Sequence, residues 1–182
     1  GYLTSASVIG SLFVITADHC ASSAGIAALP AFRYRIPMWI HAPGGQVPAA
    51  RFDRMTSQID IPPTILGLLG MDYYSQFYGV DVFQSAAGSG RAFIGTYQLL
   101  GLLRDGELVQ LSPHRRVNTL RPAYDRDLPQ PALPEDAAMT LQAISFYQAT
   151  AEAFASGEMR APEHMPASPV GLPASAVARS RP

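Results

Sequence analysis

Asp18 and His19 stand side by side in the stretch Leu12 to Cys20, LFVITADHC. A carboxylate and an imidazole make a mixed oxygen and nitrogen donor set, suited to Zn²⁺ or Mn²⁺. Neighbouring side chains point to opposite faces while a strand persists. Where the strand ends and the backbone turns, both can reach one cation. Two donors do not complete a metal's shell, so further ligands have to come from other segments. The same pair also fits a plain structural role, with Asp18 capping the following turn beside a surface His19. The position after a buried strand favours chemistry, because α/β sheets place their ligands at such strand ends.

The other candidates each have a simpler alternative. Cys20 offers a nucleophile or a third ligand, but a single cysteine more often serves as a small hydrophobe. His41 ends a second apolar run and could face the same cleft, or it could be a hydrogen-bonded structural residue. Asp60 is a carboxylate just ahead of Pro62 and Pro63, so a helix cap explains it better than a metal ligand does. His114 lies in SPHRR with Arg115 and Arg116. That group could grip phosphate, but a solvated loop accounts for it better. His164 falls in a proline-rich tail and is set aside.

These residues need elements to position them. Leu12–Thr16 is a short apolar, β-branched run, the pattern of a strand buried on both faces of a parallel sheet. Ile36–His41 is a second such strand, with Pro37 near its start pointing to an outer position. Residues 57–70 have the pattern of a helix capped by Asp60, with Pro62, Ile65, Leu66 and Leu69 on one face and Gly70 as its stop. Arg91–Tyr97 is a further strand. Leu99–Leu103 and Glu107–Leu111 flank Asp105-Gly106, a strong hairpin signal. Pro134–Ser156 is a second helix, with Pro134 at its first position and Leu141, Ile144, Tyr147, Ala151 and Phe154 on one face. No internal repeat is visible.

The totals bound the reading. The chain has 182 residues, 48% apolar and 15% charged, which suits one domain with a real core. A net charge of −1 gives no electrostatic case for nucleic acid as a partner. All thirteen basic residues are Arg, a bias read as genomic. One cysteine cannot form an internal disulfide. No apolar run nears the roughly 20 residues that span a bilayer, and no signal-peptide pattern opens the chain. The start GYLTSASVIG is not a clear domain start and looks cut. The expected organisation is a domain over 1–157 and a disordered tail rich in Pro and Ala over 158–182.

The segments TADHC, RYRIPMWIHAPG and SQIDIPPTILGLLG, in this order and spacing, resemble the C-terminal part of sulfatase-like enzymes of the alkaline phosphatase superfamily. The chain is most similar to the lipoteichoic acid synthase and phosphoglycerol transferase branch. RAFIGTYQLLGLLRDGELVQLSP and the helix near ISFYQAT extend the likeness, from about Leu12 to Phe154. The resemblance implies an α/β fold, a mostly parallel sheet flanked by helices with a C-terminal β-hairpin and helix. It implies a divalent metal (Mn, Zn or Mg) at the sheet edge and maps the family's adjacent metal ligands onto Asp18 and His19. It places the nucleophile upstream, so no catalytic residue is assigned in this chain. It implies a parent protein held in a bacterial inner membrane by N-terminal helices, with its catalytic domain on the periplasmic side.

Three functions follow from the resemblance. The first is a phosphoglycerol- or phosphoethanolamine-type transferase acting on cell-envelope lipid or glycan, with a phospholipid-derived substrate. The second is a sulfatase or phosphodiesterase acting on a sulfate or phosphate ester. The third is a truncated, catalytically inert fragment. In each case this chain alone is expected to be inactive.

Overall fold

The computed structural model describes residues 10–22 and 24–160. Strands, 3₁₀ turns and helices are interspersed along the chain, and the fold is α/β. The described residues divide into two compact units, one drawn from 10–54 and 93–136, the other from 55–92 and 137–160.

In the first unit, β1 (Phe13–Thr16) and β2 (Met38–His41) form a two-stranded antiparallel ribbon. Its register pairs Phe13 with His41, Ile15 with Trp39 and Thr16 with Met38. Pro37 lies just before β2, where its missing N–H breaks no ladder, and its carbonyl accepts a hydrogen bond from the Thr16 hydroxyl at 3.2 Å. The expectation of a strand buried on both faces is not met. Ile15 is 57% exposed and Trp39 60%, and these two side chains lie opposite each other on one face of the ribbon.

A second sheet follows the order β3 (Arg91–Gly95), β4 (Leu100–Arg104), β5 (Glu107–Ser112), β6 (Arg116–Leu120). The β4–β5 and β5–β6 ladders are antiparallel. The β3–β4 connection is too short for anything but a chain reversal. The mostly parallel sheet expected from the apolar runs is therefore replaced, among the described strands, by antiparallel ladders. A short apolar run signals burial but carries no strand direction. Asp105 (φ 50°) and Gly106 (φ 80°) form the two-residue turn that the Asp-Gly pair requires. Leu29, Leu102, Leu108 and Val109 are essentially inaccessible. Gly101 makes room for this packing, since a Cβ there would meet Leu29, Ile94 and Leu108 within 3 Å. Strand β6 was not foreseen. Beyond it, Arg121 N–H donates to Pro131 O and Leu133 N–H to Thr119 O, which ties the next segment along its edge.

In the second unit, a 3₁₀ turn (Gln58–Asp60) runs straight into helix α1 (Ile61–Leu68). The helix ends as expected: Gly70 has φ 64°, and the N–H groups of Gly70 and Met71 bond back to Gly67 and Leu66. Its buried face is different. Pro63 and Thr64 are buried, whereas Pro62 and Leu69 are exposed. Helix α2 (Ala137–Ser156) starts three residues after Pro134 and buries Met139, Thr140 and Ala143. Leu141, at 65% exposure, and Phe154, at 79%, point outward, so the apolar stripe read from the sequence is rotated from the true one.

The second unit is organised by one buried carboxylate. Asp60 is 2% exposed. It does not cap α1. Its two oxygens accept the N–H groups of Ser57 and Val80, both at 2.9 Å. Arg91 approaches it at 3.3 Å and donates to the Tyr78 carbonyl at 2.9 Å. Ser57 is the capping residue, in a box with Asp60. Gly79 makes the arrangement possible, because a Cβ there would sit on the Ile59 carbonyl. From residue 161 the expected disordered tail, with His164, lies outside the described residues.

Candidate metal centre

Asp18 and His19 follow the end of β1, where the ladder with β2 stops at Thr16–Met38. The backbone leaves the extended form at residue 18, so the two side chains no longer have to point apart. Both are exposed, at 86% for Asp18 and 77% for His19. One carboxylate oxygen of Asp18 accepts the His19 backbone N–H at 3.0 Å. The other lies 3.5 Å from His19 Nε2.

The imidazole is oriented by its other nitrogen. Nδ1 lies 2.7 Å from the Cys20 carbonyl. A carbonyl only accepts, so Nδ1 carries the proton and Nε2 of the neutral ring presents its lone pair. This is the support that metal-binding histidines ordinarily have. Two ligands each about 2.0–2.2 Å from one tetrahedral cation sit about 3.4 Å apart. The observed separation of 3.5 Å between Asp18 Oδ2 and His19 Nε2 matches that value. The pair therefore fits as two corners of a metal shell. When bound, a divalent cation there would polarise an ester oxygen and offset the charge of a transferring group.

The other candidates do not join it. Cys20 is half-buried and a free thiol, and the part of it that contacts His19 is its main-chain carbonyl. His41 is exposed and lies at the far end of the ribbon, opposite Phe13. Antiparallel pairing sets the end of β2 beside the start of β1, about 10 Å from the strand end that leads to Asp18. Strand direction thus keeps His41 away from the Asp18–His19 end of the ribbon. Asp60 belongs to the second unit and is engaged with Arg91. His114 is exposed in the turn between β5 and β6. Among the described residues, no group of three or more His, Cys, Asp or Glu side chains could hold a metal. No described helix is long and apolar enough to cross a membrane.

Residues 7–71, which include the ribbon, the Asp18–His19 pair and α1, match the Sulfatase family model. The fold is similar to that of a protein in the alkaline phosphatase superfamily from Vibrio parahaemolyticus, with a TM-score of 0.75 and 25% identity. The likeness is to the alkaline phosphatase superfamily. The match covers 86% of this chain and 38% of the Vibrio chain, so the present sequence spans well under half the length of that relative. Sequence reasoning missed the Cys20 carbonyl that orients the His19 ring. The only signal for that was proximity in sequence, since a residue's own neighbours are the first hydrogen-bond partners within reach.

Proposed function

We propose that this chain supplies two metal ligands, Asp18 and His19, to a sulfatase-like enzyme whose nucleophile and remaining ligands lie on other segments of a parent protein. The reaction we assign is transfer of a phosphoglycerol- or phosphoethanolamine-type group to cell-envelope lipid or glycan. It takes place outside the cytoplasm of a bacterium, on a protein held to the membrane by N-terminal helices. The observation that carries the site is the 3.5 Å separation of Oδ2 and Nε2, with Nδ1 fixed on the Cys20 carbonyl. The transferase assignment rests on the likeness of TADHC and IDIPPT to that branch. The match of residues 7–71 to the Sulfatase family model favours a second reading, hydrolysis of a sulfate ester on the same scaffold.

Metal titration of the parent protein tests the site without relying on turnover. Asp18→Asn and His19→Ala should each weaken Mn²⁺ binding, followed by its electron paramagnetic resonance signal, by at least tenfold. Unchanged affinity in both variants would remove the assignment. Comparing phosphodiester and sulfate ester substrates on the same parent protein separates transferase from sulfatase. The purified 182-residue chain should turn over neither.

A further inference from the structure

Two turns of the four-stranded sheet share one end. The sheet runs up and down in chain order, so the β3–β4 and β5–β6 connections lie together and the Asp105–Gly106 turn lies at the other end. Leu100 pairs with Leu111, three residues from Tyr97 on one side and from His114 on the other. The tips are two strand spacings apart, about 10 Å.

Each tip presents an unusual side chain in an ordered turn. In the first, Thr96 N–H donates to Leu99 O at 2.9 Å, and the Thr96 hydroxyl accepts the Leu99 N–H at 3.2 Å. This tight turn holds Tyr97 out, 99% exposed, beside Leu100 at 39%. In the second, His114 (φ 61°) and Arg115 (φ 58°) both adopt left-handed backbone. That conformation favours Gly or Asn, and for other residues it costs roughly 1–3 kcal/mol each. The turn nonetheless carries two long cationic or imidazole side chains, and Arg116 follows. All three are exposed, and none has an ion-pair partner among the described residues. At the opposite end of the sheet, by contrast, Arg104 is paired with Asp105 at 3.1 Å.

We propose that this end of the sheet docks on an anionic lipid bilayer, with Tyr97 at the interface and Arg115 and Arg116 on phosphate headgroups. A single soluble phosphate is held by donors that converge on it, whereas these exposed tips stand about 10 Å apart. A planar surface offers many phosphates at that spacing. Tyrosine, with an apolar body and a polar tip, suits the boundary between headgroup and hydrocarbon. The chain's net charge of −1 supplies no general attraction, so the effect is local to these turns. This surface stands apart from the metal-site reading and does not depend on it.

The test is co-sedimentation of the 182-residue chain with vesicles of phosphatidylcholine, alone or mixed with phosphatidylglycerol. Binding should require phosphatidylglycerol and weaken with added salt. Arg115→Ala and Arg116→Ala should each lower partitioning about fivefold, and Tyr97→Ser should lower it further. Arg104→Ala, at the other end of the sheet, should leave it unchanged. The proposal is overturned if the wild-type chain ignores phosphatidylglycerol, or if the Arg104 variant loses as much as the Arg115 and Arg116 variants. It is also overturned if millimolar inorganic phosphate abolishes vesicle binding while sodium chloride of equal ionic strength does not, which would mark a site for a soluble anion.

Discussion

Replacing Asp60 by Ala strips three groups of their partner at once. The N–H groups of Ser57 and Val80 lose an acceptor at 2.9 Å, the Arg91 guanidinium loses its counter-charge at 3.3 Å, and the capping box of the 3₁₀ turn is gone. None can turn to water without local opening, since Asp60 is 2% exposed and Arg91 8%. A buried N–H left unsatisfied costs about 1–3 kcal/mol, and an uncompensated buried cation adds to it. Breaking a buried pair by removing one partner costs about 3–5 kcal/mol overall, and that is the loss expected here. For a chain of this size it lowers Tm by about 10 °C. Thermal and urea unfolding followed by far-ultraviolet circular dichroism measure it directly. Arg91→Met should cost less, because Asp60 then keeps both backbone donors. The double variant should lose about 1–3 kcal/mol less than the sum of the two, as coupled neighbours do. A loss below about 1 kcal/mol for Asp60→Ala, or strict additivity in the double variant, would refute the view that this carboxylate organises the second unit.

Gly79→Ala places a methyl group on the Ile59 carbonyl and should cost about 1–3 kcal/mol in the same assay, with hydrogen exchange quickening at Val80, whose N–H is held by Asp60. Gly106→Ala, at φ 80° in the β4–β5 turn, should cost about 1 kcal/mol, read as a lowered urea midpoint with an unchanged slope. Among the described residues the Tyr124 hydroxyl is buried without a hydrogen-bond partner, and burial pushes its pKa above the usual 10.0. The unfolded chain therefore releases this proton first, so its contribution to stability is complete below pH 10.0 and falls as pH rises from there through the folded value. Tyr124→Phe should remove that alkaline fall and leave the neutral-pH melting temperature unchanged or higher. A clear loss at neutral pH would mean that the hydroxyl has a partner.

What could be read from the sequence was what neighbours decide. Asp105-Gly106 announces its turn because two successive positive φ values exclude most residues. Gly70 stops α1 for the same reason. Asp18 and His19 stand out by type and by their place after an apolar run, and they are donors in the reading proposed above. Partners far along the chain were not legible. Asp60 has the local look of a cap before two prolines, yet its acceptor groups serve Val80 and Arg91. Strand β6 hid behind Arg115-Arg116, which reads as a loop, although only Thr119 of RVNTL needs full burial. The helix stripes were rotated because Thr64, Thr140 and Ala143, weak apolar signals, take the buried places.

The most informative disagreement is at β1. Its sequence asks for burial on both faces, yet Phe13, Ile15 and Trp39 stand exposed on one face of a two-stranded ribbon, a unit only marginally stable by itself in water. In the reading proposed above, the ribbon's end carries two donors where a metal shell needs about four, so burial and coordination are both incomplete at the same element and have one remedy. A segment that brought further ligands to Asp18 and His19 would also have that apolar face to cover, and metal affinity would then couple to the stability of the ribbon.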